Sequence, residues 1–203
     1  MIVRRLLAVA FSQFGRILIM RVTTGTARGM NLMAPPSSAV TRPTSDMTKQ
    51  AMFNIVQFEL EGAEVLDLFA GSGQLGIEAL SRGAKQATFV DSSRDAQDVI
   101  MENLKHTKLL SQAKLIATDY VTFLSRGANQ YDIAFMDPPY NQKLIDAALP
   151  LVARRMRKNG VILCESEKNE ILPDSAEESV KVKEYRYGRA KLTVYRCPQE
   201  DEE

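Results

Sequence analysis

Asp137-Pro138-Pro139-Tyr140 ends the apolar run 131–136 (YDIAFM), and its residue types suit one kind of chemistry. Two consecutive prolines fix φ and remove two backbone donors, so the tetrapeptide offers carbonyl oxygens and the Asp137 carboxylate as an acceptor-only surface. An exocyclic amine on a nucleobase carries two N–H donors and a lone pair delocalised into the ring. Accepting those donors with Asp137 and the Pro138 carbonyl favours a pyramidal nitrogen, which frees the lone pair to attack an electrophilic methyl group. Tyr140 supplies a face for the base, a stacking contact of about 1–3 kcal/mol. The ring alone suffices for stacking, so Tyr140→Phe is expected to be nearly silent. The plain alternative is a turn that starts a helix with proline in its first position. A cytosine-C5 reaction would need a nucleophilic cysteine here, and the tetrapeptide has none.

A second pattern lies upstream. Asp67-Leu68-Phe69-Ala70-Gly71-Ser72-Gly73-Gln74-Leu75-Gly76 sets GxGxxG between an apolar strand-like run and a helical pattern, the context that gives this motif value. Glycines at 71 and 73 allow a sharp turn and a close ligand approach, and Gly76 allows a helix to pack on a sheet. Twenty residues past Gly71, Asp91 ends the next strand, where it can accept bonds from both ribose hydroxyls of an adenosine. Asp119, beside Tyr120 at the end of a third strand, can reach an adenine amino group. The cofactor-binding set read from these runs is Asp67, Phe69, Ala70, Gly71, Ser72, Gly73, Asp91, Ser92, Asp119 and Tyr120. By itself the turn fits a nicotinamide or S-adenosylmethionine, and the Asp-Pro-Pro-Tyr run favours the latter.

These residues need a scaffold that brings strand ends together. Short apolar runs at 64–69, 86–91, 113–118, 131–136 and 160–165 alternate with helical patterns at 74–82, 94–107, 119–125 and 142–157, the rhythm of a parallel sheet wrapped by helices. Two further extended runs, 178–185 and 191–196, flank Tyr187-Gly188-Arg189 and read as an antiparallel hairpin. The expected fold is therefore α/β: a mostly parallel, seven-stranded sheet with a C-terminal antiparallel hairpin and a small N-terminal β/helix extension. In that extension, 21–33 is β-like and 46–60 is helical, with Ser45 or Asp46 as N-cap. Four segments follow: 1–19 as a leader or non-native start, 20–62 as an RNA-binding extension, 63–198 as the catalytic domain, and 199–203 as an acidic tail.

Charge separates the two ends of the chain. The net charge of the 203 residues is +1, yet residues 1–49 carry +6 (Arg4, Arg5, Arg16, Arg21, Arg28, Arg42 and Lys49 against Asp46), leaving −5 for the rest. Such asymmetry points to an anionic partner for the amino-terminal part, with nucleic acid the commonest candidate. Two cysteines without CxxC spacing and a single histidine, His106, withdraw support from a disulfide scaffold, a zinc site or a Ser/His/Asp triad, and no metal is expected. His106 reads as a surface residue. The opening MIVRR-LLAVAF has the look of a short secretory signal, but Gln13, Gly15 and Arg16 interrupt the apolar run short of the roughly 20 residues of a membrane span. A start at Met20, a cytoplasmic location and no membrane association are expected.

The chain resembles the bacterial small-subunit ribosomal RNA guanine-N2 methyltransferases of class I Rossmann-like fold. The resemblance spans about Arg21 to Arg196 and rests on Arg42-Pro43-Thr44, Phe53-Asn54, Leu66 through Gly76, Glu78 through Ala84, Asp137 through Tyr140, and Tyr187-Gly188. It implies transfer of a methyl group from S-adenosylmethionine, leaving S-adenosylhomocysteine, to the N2 amine of a guanine in small-subunit ribosomal RNA. Gly71 to Gly73 and Asp91 would then hold the cofactor, Asp119 and Tyr120 its adenine, and Asp137 to Tyr140 the guanine. Arg28, Arg42 and Thr44 would face RNA. Asp91 stands where the family more often has Glu. A monomer acting on RNA, within an assembling subunit or free, is expected. The competing readings are an adenine-N6 methyltransferase, a nicotinamide-dependent oxidoreductase, and an RNA-binding module without turnover. A DNA-acting enzyme would usually carry a target-recognition insertion that this length does not accommodate, and the four acids Asp67, Asp91, Asp119 and Asp137 argue for turnover.

Overall fold

A computed structural model describes residues 20–35, 46–140 and 143–198. Within them the chain runs β1 (Met20–Arg21), β2 (Asn31–Leu32), α1 (Asp46–Ile55), β3 (Glu64–Leu68), α2 (Gln74–Ser81), β4 (Gln86–Asp91), α3 (Arg94–Thr107), β5 (Ala113–Ala117), α4 (Tyr120–Arg126), β6 (Tyr131–Met136), α5 (Leu144–Ala153), β7 (Met156–Glu167), β8 (Ser175–Ala176), β9 (Ser179–Tyr187) and β10 (Ala190–Arg196).

The main sheet has the order β5-β4-β3-β6-β7-β10-β9-β8. β3 to β7 are mutually parallel, while β10, β9 and β8 each pair antiparallel with their neighbours. Strand alternation explains the two cores. Val65, Phe89, Ile133, Phe135, Val161 and Leu163 point to one face, which α1, α2 and α3 cover with Met52, Phe53, Ile77 and Ile100. Leu66, Leu68, Val90, Ala134, Met136 and Ile162 point to the other, covered by α4 and α5 with Leu124, Ala148 and Leu149. Period-2 burial on both faces is what a parallel sheet between helical layers requires.

The order reverses between β3 and β6, because the chain moves outward through β4 and β5 and then returns to the other side of β3. In open α/β sheets the crevice at the carboxyl ends beside such a reversal is where ligands bind. The glycine turn leaves β3 and the Asp-Pro-Pro-Tyr run leaves β6 at that crevice.

Three expectations are corrected. The sheet has eight strands, not seven, since Ser175 pairs with Val180 and Ala176 with Ser179; a two-residue strand is too short to show periodicity. The helix expected to reach 157 ends at Ala153, and Met156 already pairs with Tyr131. The helix expected over 46–60 ends at Ile55, followed by a turn closed by Glu59 N donating to Val56 O at 2.9 Å. The leader 1–19, the tail 199–203, Arg42, Thr44 and Ser45 lie outside the described residues. Among the described residues no helix is long and apolar enough to cross a membrane, and no group of metal-ligating side chains gathers.

Candidate functional site

β3 ends in a turn whose backbone only a glycine-rich sequence adopts cheaply. Phe69, Gly71 and Gly73 have φ of 67°, 55° and 75°, the left-handed region. Phe69 N and Ala70 N both donate to Val90 O at 3.1 Å, and Gly73 N closes the turn on Ala70 O at 2.7 Å. At Gly76 a Cβ would run into the Phe89 ring, so α2 lies against the sheet only because that position has no side chain.

Three carboxyls surround this turn. Asp67, buried on β3, accepts from Gly76 N at 2.8 Å and so ties the strand to the first turn of α2. Burial pushes its pKa up to about 8 against the pull of the Gly76 amide, and the charges of Asp137 and Asp91 push the same way. Asp91 accepts from Gly71 N and Ser93 N, both at 2.8 Å, so it shapes the turn with its two oxygens. Each oxygen keeps a further lone pair for a ligand hydroxyl. Asp137 is half-buried at the end of β6. Near neutral pH Asp67 keeps its proton, and the Asp91 and Asp137 charges make the crevice negative, which favours a cationic ligand and opposes one that brings a pyrophosphate.

The aromatic and polar rim is also in place. The Phe69 and Tyr120 rings lie 5.3 Å apart, tilted by 55°. Asp119 caps α4, accepting from Thr122 N at 2.9 Å and Thr122 Oγ1 at 2.6 Å, bonds that lower its pKa. Ser92 is exposed. Ser72 O accepts from Asn103 Nδ2 at 2.9 Å, and the same Asn103 side chain exchanges two bonds with the Met33 backbone, at 2.8 and 2.9 Å. The segment after β2 is therefore stitched to the glycine turn.

In the tetrapeptide, Pro138 is buried, Pro139 and Tyr140 are exposed, and Tyr140 Oη donates to Glu165 Oε1 at 2.7 Å. The tyrosine hydroxyl, taken from sequence as dispensable, therefore has a partner. Arg28 is exposed on the loop between β1 and β2, and His106 is exposed on α3. Lys49 departs from its place in the basic arm. It is only 1% exposed, donates to Arg21 O at 2.8 Å and lies 3.9 Å from Glu78, so it has no phosphate to meet.

Glu78, Asn103 and Glu165 were not singled out from sequence. A polar residue on an otherwise apolar helix face, as Glu78 and Asn103 are, was the available signal; for Glu165, at the end of the apolar run 160–165, there was none.

The pH dependence of Asp67 is measurable. Its folded pKa, about 8, is above the unfolded value, so the folded state binds the proton more tightly and stability falls as pH rises between the two values. Asp67→Asn keeps an acceptor for Gly76 N and removes the ionisation. The variant is expected to melt above the parent at pH 9, by an amount on the order of a few kcal/mol in stability, and to converge with it near pH 4. Thermal denaturation across that range checks this; a variant less stable at every pH would contradict it.

Comparison with known proteins agrees with this geometry. The family described as Conserved hypothetical protein 95 matches residues 20–196. The YlbH protein of Bacillus subtilis is 34% identical over 182 residues, covering 87% of this chain and 98% of its own. Ribosomal RNA small subunit methyltransferase D of Haemophilus influenzae is 36% identical over 157 residues, 75% of this chain and 81% of its own. A solved structure from Streptococcus pyogenes, described as a conserved hypothetical protein, superposes with a TM-score of 0.68 at 35% identity, over 73% of this chain and 94% of that one. On its sequence, its sheet order and its two carboxyl-edge loops, the chain belongs to this family, that of the bacterial small-subunit ribosomal RNA methyltransferases with the class I fold.

Proposed function

We propose that the chain transfers a methyl group from S-adenosylmethionine to the exocyclic N2 amine of a guanine in small-subunit ribosomal RNA. The observation that carries this reading is the meeting, at one sheet reversal, of the Asp137 and Pro138 acceptors with a glycine turn shaped by the Asp91 carboxylate. The residues present fit the cofactor: Gly71 and Gly73 keep the turn free of side chains, and the charges of Asp91 and Asp137 complement its sulfonium and ammonium. Once bound, the cofactor supplies a methyl group on positively charged sulfur. Asp91 is suited to the ribose hydroxyls and the Phe69–Tyr120 pair to the adenine. Asp137 and the Pro138 carbonyl accept the two N–H bonds of the amine and hold its lone pair toward the methyl carbon. The C–N bond forms as the C–S bond breaks, and the nitrogen, now acidic, gives its proton to Asp137 or solvent. Tyr140 holds the base by stacking. Nucleoside analysis of small-subunit RNA from cells lacking the protein tests the reading: loss of one N2-methylguanosine is expected, and loss of N6-methyladenosine in its place would favour the adenine reading.

Residues 20–62 are proposed as the RNA-docking extension and 63–198 as the catalytic part, with Arg28, exposed between β1 and β2, and Arg42 and Thr44 meeting phosphates. The enzyme is proposed to act as a cytoplasmic monomer, on RNA in an assembling subunit. Arg28→Ala combined with Arg42→Ala is expected to raise the RNA KM, leave S-adenosylhomocysteine affinity unchanged, and flatten the log–log salt dependence by about 1 per arginine. Parental kinetics across the salt series would mean that the arm is only solvated.

A further inference from the structure

Beside Asp137 the crevice holds an acid that the chemistry above leaves unused. Cys164 of β7 pairs with Met136 of β6, so Glu165, still within β7, stands beside Asp137, which has just left β6. Glu165 is only 3% exposed. Its Oε1 accepts from the Tyr140 hydroxyl, while its Oε2 is shielded from water and has no hydrogen-bond partner among the described residues. An acid held this way costs stability, and burial with the Asp137 charge pushes its pKa up to about 8. An apolar residue at 165 would fill the sheet interior without that cost. What the carboxyl does that an apolar side chain would not is hold Tyr140, which projects from the rim 36% exposed. Pro138, Pro139, Tyr140 and Glu165 line one cleft.

We propose that Glu165 is a positioning residue for base capture: anchored on β7, it holds the Tyr140 hydroxyl and so fixes the plane of the ring on which the target base stacks. This rests on the stacking role given to Tyr140 above. An exposed tyrosine without that anchor samples several rotamers, and the base must order it on binding; with the anchor, the ordering is complete before the base arrives. The residue therefore acts on capture of the RNA and leaves the methyl-transfer step alone.

Steady-state and single-turnover methyl transfer to small-subunit RNA would be compared for the wild type, Glu165→Gln, Glu165→Leu, Tyr140→Phe and the Leu/Phe double variant. Glu165→Leu and Tyr140→Phe should each raise the RNA KM about 3- to 10-fold, the scale of ordering one side chain, with kcat within about 2-fold. S-adenosylhomocysteine affinity should not change. Because both substitutions break the same bond, the double variant should be no worse than the worse single one. Glu165→Gln, which keeps an acceptor for the hydroxyl, should return KM toward wild type. Additive losses, a fall in kcat at constant KM, or a Gln variant as poor as Leu would each overturn the proposal. If Glu165→Leu does not fold, the Tyr140→Phe and Glu165→Gln pair decides, and a silent Phe variant overturns it. Failure of the functional reading itself is distinct, since the wild-type protein would then give no N2-methylguanosine.

Discussion

Replacing Asp137 by alanine is expected to lower kcat by about 10²- to 10³-fold, the range for deleting one preorganised polar group at a reaction centre, while S-adenosylhomocysteine affinity stays near wild type. Asp137 sits at the end of β6 beside the sheet reversal, where it and the Pro138 carbonyl are the acceptors offered to the amine. Asp137→Asn should fall almost as far, because it turns one acceptor into a donor aimed at an N–H. An interaction realised in the transition state appears in kcat, and ground-state binding is largely spared. The substitution also removes a charge that raises the Asp67 pKa, which bears on the fold and not on the chemistry. Single-turnover transfer from labelled cofactor, with a melting curve on the same sample, separates the two effects. Wild-type turnover in Asp137→Ala would reduce the tetrapeptide to a structural turn.

The largest expected loss of stability lies elsewhere, at Glu78. This carboxylate, 1% exposed on α2, accepts from Thr23 N at 2.8 Å, Thr23 Oγ1 at 2.7 Å, Thr24 N at 3.0 Å and Arg82 Nε at 2.9 Å. Lys49, equally buried, is 3.9 Å away, and the Arg82 guanidinium also lies over the Phe53 ring at 4.5 Å. Glu78→Ala takes the acceptor from three donors and the counter-charge from two buried or half-buried cations together. Breaking a buried pair by removing one partner costs about 3–5 kcal/mol, so Tm should drop by roughly 6–20 °C for a chain of this size. Because Thr23 and Thr24 belong to the loop between β1 and β2, hydrogen exchange should rise first in residues 20–33. Exchange that rises uniformly, or a Tm within a degree or two of the parent, would show that the network is not what holds this segment.

Why some of this was legible in sequence follows from the kind of signal involved. The central strands β3, β4 and β6 are buried on both faces and read as apolar runs, and the glycine turn and Asp-Pro-Pro-Tyr are local patterns whose chemistry depends on adjacent residues. Glu165 depends on register: only the pairing of Met136 with Cys164 shows that it stands beside Asp137. Within the run 160–165 nothing tells an inward acid from one at the solvent edge. By charge Lys49 belongs to the basic segment expected to meet an anionic partner, whereas Glu78, twenty-nine residues on, draws it inside. All eight residues of α2 are buried, so an acid at Glu78 needs partners, but the Thr23 and Thr24 donors lie more than fifty residues back in the chain.

The sheet order also bears on how the chain folds as it is made. β3 gains its β4 neighbour as soon as residue 91 is available, but its other edge stays open until β6 at 131–136 has emerged. At a synthesis rate of about 5–20 residues per second, the roughly 60 residues between Leu68 and Tyr131 leave that edge unpaired for about 3–13 s. During that interval Leu66 and Leu68 lack the α5 side chains that later cover them. Pausing within codons 92–130 should therefore lower soluble yield more than pausing after 167, where the nascent sheet needs only its terminal hairpin.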